Sequence, residues 1–150
     1  MSQNKFVLVV SVSILCNDKV LIIKENKPTA HNKWNFPSGR IEYSEDIFEA
    51  AHREVKEETG LEIKLTGTTG VYQFMSSTNN QVFLFHFIAE VTGGALSLEE
   101  DEIVDAKWIK VNQLSELKDK ELREAGVLNQ IIQNVLSGNI QSIQLFNNYI

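Results

Sequence analysis

The sequence predicts an α+β fold in one domain, 1–150: a mixed β-sheet held between helices in an α/β/α sandwich. Three observations predict it. Strand-like runs rich in valine, isoleucine and phenylalanine lie on both sides of one charged helical segment. Each side carries its own hairpin signal. Toward the C-terminus, leucines and isoleucines recur at helical spacing. A chain of 150 residues, 43% hydrophobic and 23% charged, is long enough to bury a substantial core.

The elements follow in order. Lys5 and the run "FVLVVSVSILC" (Phe6–Cys16) have the length of a leader's apolar region, but small residues are missing before Cys16 and the run is valine-rich. It is also too short to span a bilayer, so it is read as a first buried strand and the protein as cytoplasmic, without membrane association. The lone Cys16 excludes an internal disulfide and fits a reducing compartment. Asn17-Asp18-Lys19 turns the chain into "VLIIKEN", making a hairpin. A polar loop, "KPTAHNKWNFPSG", holds both prolines, Pro28 and Pro37.

Ser44 or Glu45 then starts a helix running to Thr59, with Gly60 as its left-handed cap. "LEIKLTGTTGVYQFMS" and "QVFLFHFIAEV" form a second hairpin across Thr78-Asn79-Asn80, and Gly93-Gly94 ends it. The acidic run Glu99 to Glu102 leads to a strand at "VDAKWIKV". From Asn112 the spacing of Leu114, Leu117, Leu122, Leu128, Ile131, Ile132 and Val135 predicts a short helix and a longer one. The last stretch, "IQSIQLFNNYI", reads as an added strand, a docked tail or a subunit contact. A net charge of -6 excludes broad electrostatic binding to nucleic acid or anionic membrane, so an acidic substrate needs a local cation.

The central helix carries the chemistry. "REVKEETG" places Glu54, Glu57 and Glu58 within five residues, at the end of a helix where negative charge is unfavourable. At roughly 100° per residue, Phe48, Ala51 and Val55 share an arc of roughly 60° that packs on the sheet, and the three glutamates share a neighbouring arc of roughly 100°. Clustered hard oxygen donors suit Mg²⁺ or Mn²⁺, ions that also hold phosphates. The competing explanation is a solvated helix laced by Glu49–Arg53 and Arg53–Glu57 pairs.

The wider spacing decides between them. Gly39 is followed after five residues by Glu45, after seven more by Arg53-Glu54-Val55, then one residue, Glu57-Glu58, one residue, and Gly60-Leu61: nine positions fixed over 23 residues. This pattern resembles the signature of the Nudix hydrolase family. The likeness extends to "WNFPSGRIE" before the helix and "VDAKWIKVNQL" after the sheet. It implies a mixed sheet between helices, a loop-helix-loop that binds divalent cations, and hydrolysis of a nucleoside diphosphate linked to another group. By that likeness the Gly39 carbonyl and the carboxylates of Glu54, Glu57 and Glu58 hold Mg²⁺ or Mn²⁺, Arg53 orients the carboxylates, and Glu45 braces the loop. Two positions depart from common usage, Ser38 and Ser44, each often glycine; at Ser38 a positive φ would be disfavoured.

The general base stays open between Glu57 or Glu58 and a carboxylate of the later loop, where Glu102 is favoured over Glu99, Glu100 and Asp101. Candidate substrate contacts are Trp34, Phe36, Tyr72, Phe74 and Phe85 for a base or ring, with His31, Lys33 and Arg40 near the phosphates. Phe85 and Trp108 also read as core, His86 as a strand residue without a role, and His52 as surface. The implied substrate is a small nucleoside di- or triphosphate or a related diphosphate. Sanitation of oxidised nucleotides such as 8-oxo-dGTP, and a non-catalytic nucleotide sensor, are the alternatives. The resemblance also leaves a homodimer open, since many relatives are dimers.

Overall fold

The structure, a computed structural model, describes residues 4–150. Its strands are β1 Phe6–Cys16, β2 Lys19–Lys27, β3 Ala30–Asn35, β4 Ser38–Arg40, β5 Leu61–Met75, β6 Gln81–Gly94 and β7 Ile103–Lys110. Two α-helices, α1 Ile47–Thr59 and α2 Ala125–Ser137, pack on the sheet, and short 3-10 turns occupy Val111–Glu116, Asp119–Glu121 and Ile143–Leu145.

The strand order is β3-β2-β1-β6-β5, with β4 on β1 and β7 on β2. The sheet is mixed because β1 runs parallel to β6 over ten residue pairs, Phe6↔Gln81 to Leu15↔Glu90, whereas the other pairings are antiparallel. The opening hairpin is real but short. β1 and β2 pair only at Leu15↔Val20 and Cys16↔Lys19. Beyond that point β1 takes β4 as its neighbour and β2 takes β7, so the sheet splits, and the split is where a cleft forms.

Two cores explain the near-continuous apolar strands, since a strand covered on both faces needs no polar alternation. On one face Val20, Ile22, Leu84 and Ile88 meet Leu128, Ile131, Ile132 and Val135 of α2. On the other, Val10, Val12, Leu21 and Phe87 meet Ala50, Ala51 and Val55 of α1.

Three expectations need correction. The helix starts later than Ser44 or Glu45. Asp46 is its N-cap, accepting hydrogen bonds from the Phe48 and Glu49 amides at 3.0 and 3.2 Å, which satisfies otherwise orphaned donors. Ser44, not Ser38, carries the left-handed backbone, with φ 63°, so the cost of lacking glycine falls before the helix and not at the turn facing the cleft.

The polar stretch 27–39 is largely not a loop. Ala30–Asn35 pairs with β2 from Lys27↔Ala30 to Ile23↔Asn35 through a bulge at Glu25/Asn26, and Ser38–Arg40 pairs with β1. The chain ends as a docked tail. Gln141 exchanges two backbone hydrogen bonds with Thr68, and Phe146 sits among Phe48, Phe85 and Phe87.

Candidate active site

Arg53 organises the segment around α1. Its Nε and Nη2 donate to the two Glu45 oxygens at 2.6 and 2.9 Å, its Nη1 to Glu54 at 2.8 Å and Glu57 at 3.3 Å, and its Nη2 also to the Arg40 carbonyl at 3.0 Å. A planar guanidinium suits this, because its donors sit in a fixed fork. The Glu45 bonds are the largest cause of a guanidinium pKa pushed above its usual range, and the same contact lowers Glu45. One residue thus ties the loop before α1, the helix and β4 into a single body.

The carboxylates of α1 lie in three different environments. Glu58 is 3% exposed, accepts from the Ser38 amide at 2.9 Å, and faces Lys27 Nζ at 3.8 Å. Burial pushes it up to about 8, against the opposing pull of Lys27 and the Ser38 amide. Glu54 is half-buried and also raised by desolvation. It lies directly over Gly39, so closely that a Cβ there would land on its carboxylate. Glu57 projects to solvent beyond Arg53.

Among the described residues no three acidic or metal-ligating side chains converge as a preformed cage. Arg53 and Lys27 hold these carboxylates instead. The donor set still fits a hard divalent cation: Glu54 and Glu58 lie beside the Gly39 turn, Glu57 is one residue from Glu58, and desolvation leaves Glu58 wanting a closer positive charge.

A cleft of about 570 Å³ opens at the split in the sheet. Gly39, Arg40 and Glu54 line it together with Lys27, Glu102 and Arg123, and Val7, Val9, Phe74, Val82 and Leu84 supply its apolar lining. Of the acidic run, Glu102 lines the cleft. Glu99 turns its backbone instead to Glu58, Glu102 and Ile103, and neither it nor Glu100 and Asp101 forms part of the lining.

Several proposed substrate contacts lie elsewhere. Trp34 is 5% exposed under α2, with the Lys24 and Lys107 ammonium groups 4.9 and 5.2 Å from its ring. Phe36 is core, its ring 5.1 Å from that of His86. The Tyr72 hydroxyl donates to Thr69 and accepts from Asn134, both at 2.8 Å, which ties β5 to α2. In each case the aromatic surface was needed to cover the α2 face, a demand the local sequence does not reveal. His31 bonds Asn26, and Lys33 donates to the Lys120 carbonyl, both outside the cleft lining. Phe85 packs on Phe146, on the α1 face. Arg40 and Phe74 do line the cleft.

His86 has a role after all. It is fully buried between Ser11 Oγ at 2.5 Å and Ser13 Oγ at 2.7 Å, and burial depresses it to about 3. A neutral imidazole has one donor and one acceptor, so it stitches β6 to β1 by donating to one serine and accepting from the other.

The NUDIX domain model matches residues 5–131. The chain belongs to the Nudix family.

This Nudix chain is 36% identical over 109 residues to the human 8-oxo-dGDP phosphatase NUDT18, covering 71% of this chain and 32% of that protein. It is 33% identical over 102 residues to an ADP-ribose pyrophosphatase of Methanocaldococcus jannaschii, covering 67% and 60%. It therefore spans about a third of the length of the first relative and less than two thirds of the second. Among solved structures, a NUDIX hydrolase from Nitrosomonas europaea is similar with a TM-score of 0.80 and 26% identity, covering 97% of this chain and 98% of that one. The MutT protein from Methanosarcina mazei Go1, at 20% identity, TM-score 0.73 and coverage of 91% and 99%, shares the fold.

Sequence reasoning missed Lys27 and Arg123, which line this Nudix cleft, and the buried Glu25 that pairs with both. Glu25 is 1% exposed at the end of β2 and bonds Asn35, Arg123 and Lys27. A signal existed, since Glu25 is in phase with the buried Leu21 and Ile23 and so is a carboxylate at a core-facing position. Arg123 has no comparable local mark.

Proposed function

We propose that this chain hydrolyses a phosphoanhydride bond in a small nucleoside di- or triphosphate, or a related nucleoside diphosphate derivative, with Mg²⁺ or Mn²⁺. The observation that carries it is a cleft in which Glu54, against Gly39, lies together with the cations Lys27, Arg40 and Arg123, with Lys27 reaching Glu58 of the same helix. Glu54, Glu57 and Glu58, with the Gly39 carbonyl, would hold the divalent ion. When bound, the ion supplies charge neutralisation at phosphate oxygens and a more acidic water.

The chain's own residues do the rest. Arg53 fixes Glu54 and Glu57 relative to the loop, and the Ser38 amide fixes Glu58. Glu102, which lines the cleft, would accept the proton of the attacking water, with Glu57 or Glu58 the rivals for that role. Water adds to phosphorus in line with the leaving phosphate, and no covalent protein intermediate is needed. Val7, Val9, Phe74 and Leu84 offer the nucleoside an apolar wall.

Phosphate release across a panel of nucleoside di- and triphosphates, with each metal and with chelator, tests this. Binding without turnover of any substrate would leave the sensor reading standing. A second reading, sanitation of oxidised purine nucleotides, draws support from the name of the 36% identical human relative. A large rate advantage of 8-oxo-dGDP over dGDP, or of 8-oxo-dGTP over dGTP, is its expected mark, and equal rates would remove it.

A further inference from the structure

We infer that Arg123, held in place by the buried Glu25, is a specificity-determining residue that grips the phosphoryl group next to the metal-bound one. This rests on the reading of the cleft as a phosphoanhydride site and deepens it.

Glu25 is 1% exposed, and every polar contact it makes points to one task. Its Oε1 accepts from Asn35 Nδ2 at 2.7 Å. Its Oε2 accepts from Arg123 Nη1 at 2.7 Å and meets Lys27 Nζ at 3.0 Å. One carboxylate thus restrains two cations, and both line the cleft while remaining partly exposed. Buried ion clusters are poor devices for stability, since apolar replacements are often neutral or better. Lys27 is shared among Glu25, Glu58 and Glu102, whereas among the described residues Arg123 pairs only with Glu25, so the guanidinium is the cation left facing the cleft in a protein of net charge -6. An anion is the ligand that this guanidinium suits.

The position of the pair says which anion. Lys27 Nζ lies 3.8 Å from Glu58 and 3.9 Å from Glu102, so Lys27 borders Glu58 of α1 directly, and Arg123 is joined to it through Glu25. A phosphoryl group held at α1 would have its neighbour at Lys27 and Arg123. Arg123 is pinned at both ends, because its backbone amide donates to the Trp34 carbonyl at 3.0 Å. Among the described residues only its Nη1 is engaged, so the remaining N–H groups of the fork are there for a phosphate, which guanidinium matches in two-point geometry. The site therefore takes two consecutive phosphoryl groups and disfavours monoesters. Glu25 touches no substrate in this arrangement; it is a positioning residue acting through Arg123.

The test uses the full chain and inorganic pyrophosphate with Mg²⁺, followed by calorimetry, alongside steady-state kinetics on a nucleoside diphosphate. Arg123→Gln is expected to weaken pyrophosphate binding roughly 10- to 100-fold. Mn²⁺ affinity at α1, read by electron paramagnetic resonance, should stay within about twofold, because Arg123 contacts none of those carboxylates. KM should rise with kcat little changed. Arg123→Lys, which keeps the charge but not the fork, should recover part of the loss and serves as the probe if the glutamine variant does not fold. Glu25→Gln should raise KM in the wild-type background and add little to Arg123→Gln.

Pyrophosphate affinity unchanged in both Arg123 variants, or no pyrophosphate binding by the wild type, overturns the inference. A wild type that hydrolyses nothing, yet binds pyrophosphate through Arg123, overturns the proposed activity alone.

Discussion

Gly39→Ala separates the metal site from the fold. A methyl at this position would coincide with the Glu54 carboxylate, overlapping its carbon and both oxygens. Non-bonded atoms settle at about 3.5–4.0 Å, so the carboxylate must retreat by more than about an ångström. Oxygen ligands to Mg²⁺ sit near ~2.0–2.1 Å with a tolerance of about 0.2 Å, so that retreat removes Glu54 as a ligand.

The fold itself should absorb the change. Gly39 is not among the glycines of positive φ, and the colliding group is the end of a flexible side chain. The lost Arg53–Glu54 contact is partly buried and charge-assisted, and is worth about 1–3 kcal/mol. The expected outcome is a folded protein with Tm lowered by no more than about 10 °C and Mn²⁺ affinity reduced at least ~10- to 100-fold. Mn²⁺ titration by electron paramagnetic resonance, paired with thermal denaturation, measures both. Wild-type Mn²⁺ affinity in a folded Gly39→Ala protein would refute the placement of the ion against Glu54.

Three further outcomes are expected. Glu57→Gln should lower kcat by at least ~10²-fold with an unchanged melting curve, since Glu57 is exposed and serves no packing role; near-normal turnover would remove it from the ion's ligands. His86, depressed to about 3 from an ordinary 6.5, refuses in the folded state a proton the unfolded chain accepts, so its contribution is whole above pH 6.5 and is lost as pH falls toward 3. At about 1.4 kcal/mol per pH unit, roughly 2–3 kcal/mol should be gone by pH ~4.5, and urea unfolding of His86→Gln should lack that part of the slope; parallel profiles for the two proteins would contradict it. Phe146→Ala should cost about 2 kcal/mol by urea unfolding, because its ring meets Phe48 of α1 as well as Phe85 and Phe87; no loss would show that the tail contributes nothing to the α1 face.

The helix that bears the chemistry was legible because its information is local. The arc of Glu54, Glu57 and Glu58, the apolar stripe ending at Val55 and the Gly60 cap all follow from a 3.6-residue period, and the structure realises the stripe and the cap as read. The sequence starts the helix too early because Glu45 and Asp46 are neighbouring acids at its entry. Asp46 caps the backbone, while Glu45 is drawn away by Arg53. The stretch around Trp34 reads as loop because its lysines, histidine and asparagines are polar, and only pairing with β2 makes it a strand.

By itself, then, the chain's order of residues determined the alternation of strands, the carboxylate-bearing helix and the spacing that marks the family, because each depends on neighbours within a turn or a strand. Tertiary structure alone decided which aromatics face the cleft, how the tail docks, and that Glu25 reaches Arg123 across a separation of 98 residues. Contacts of that range are set by where the sheet splits and which face each helix covers. No short window of sequence carries that information.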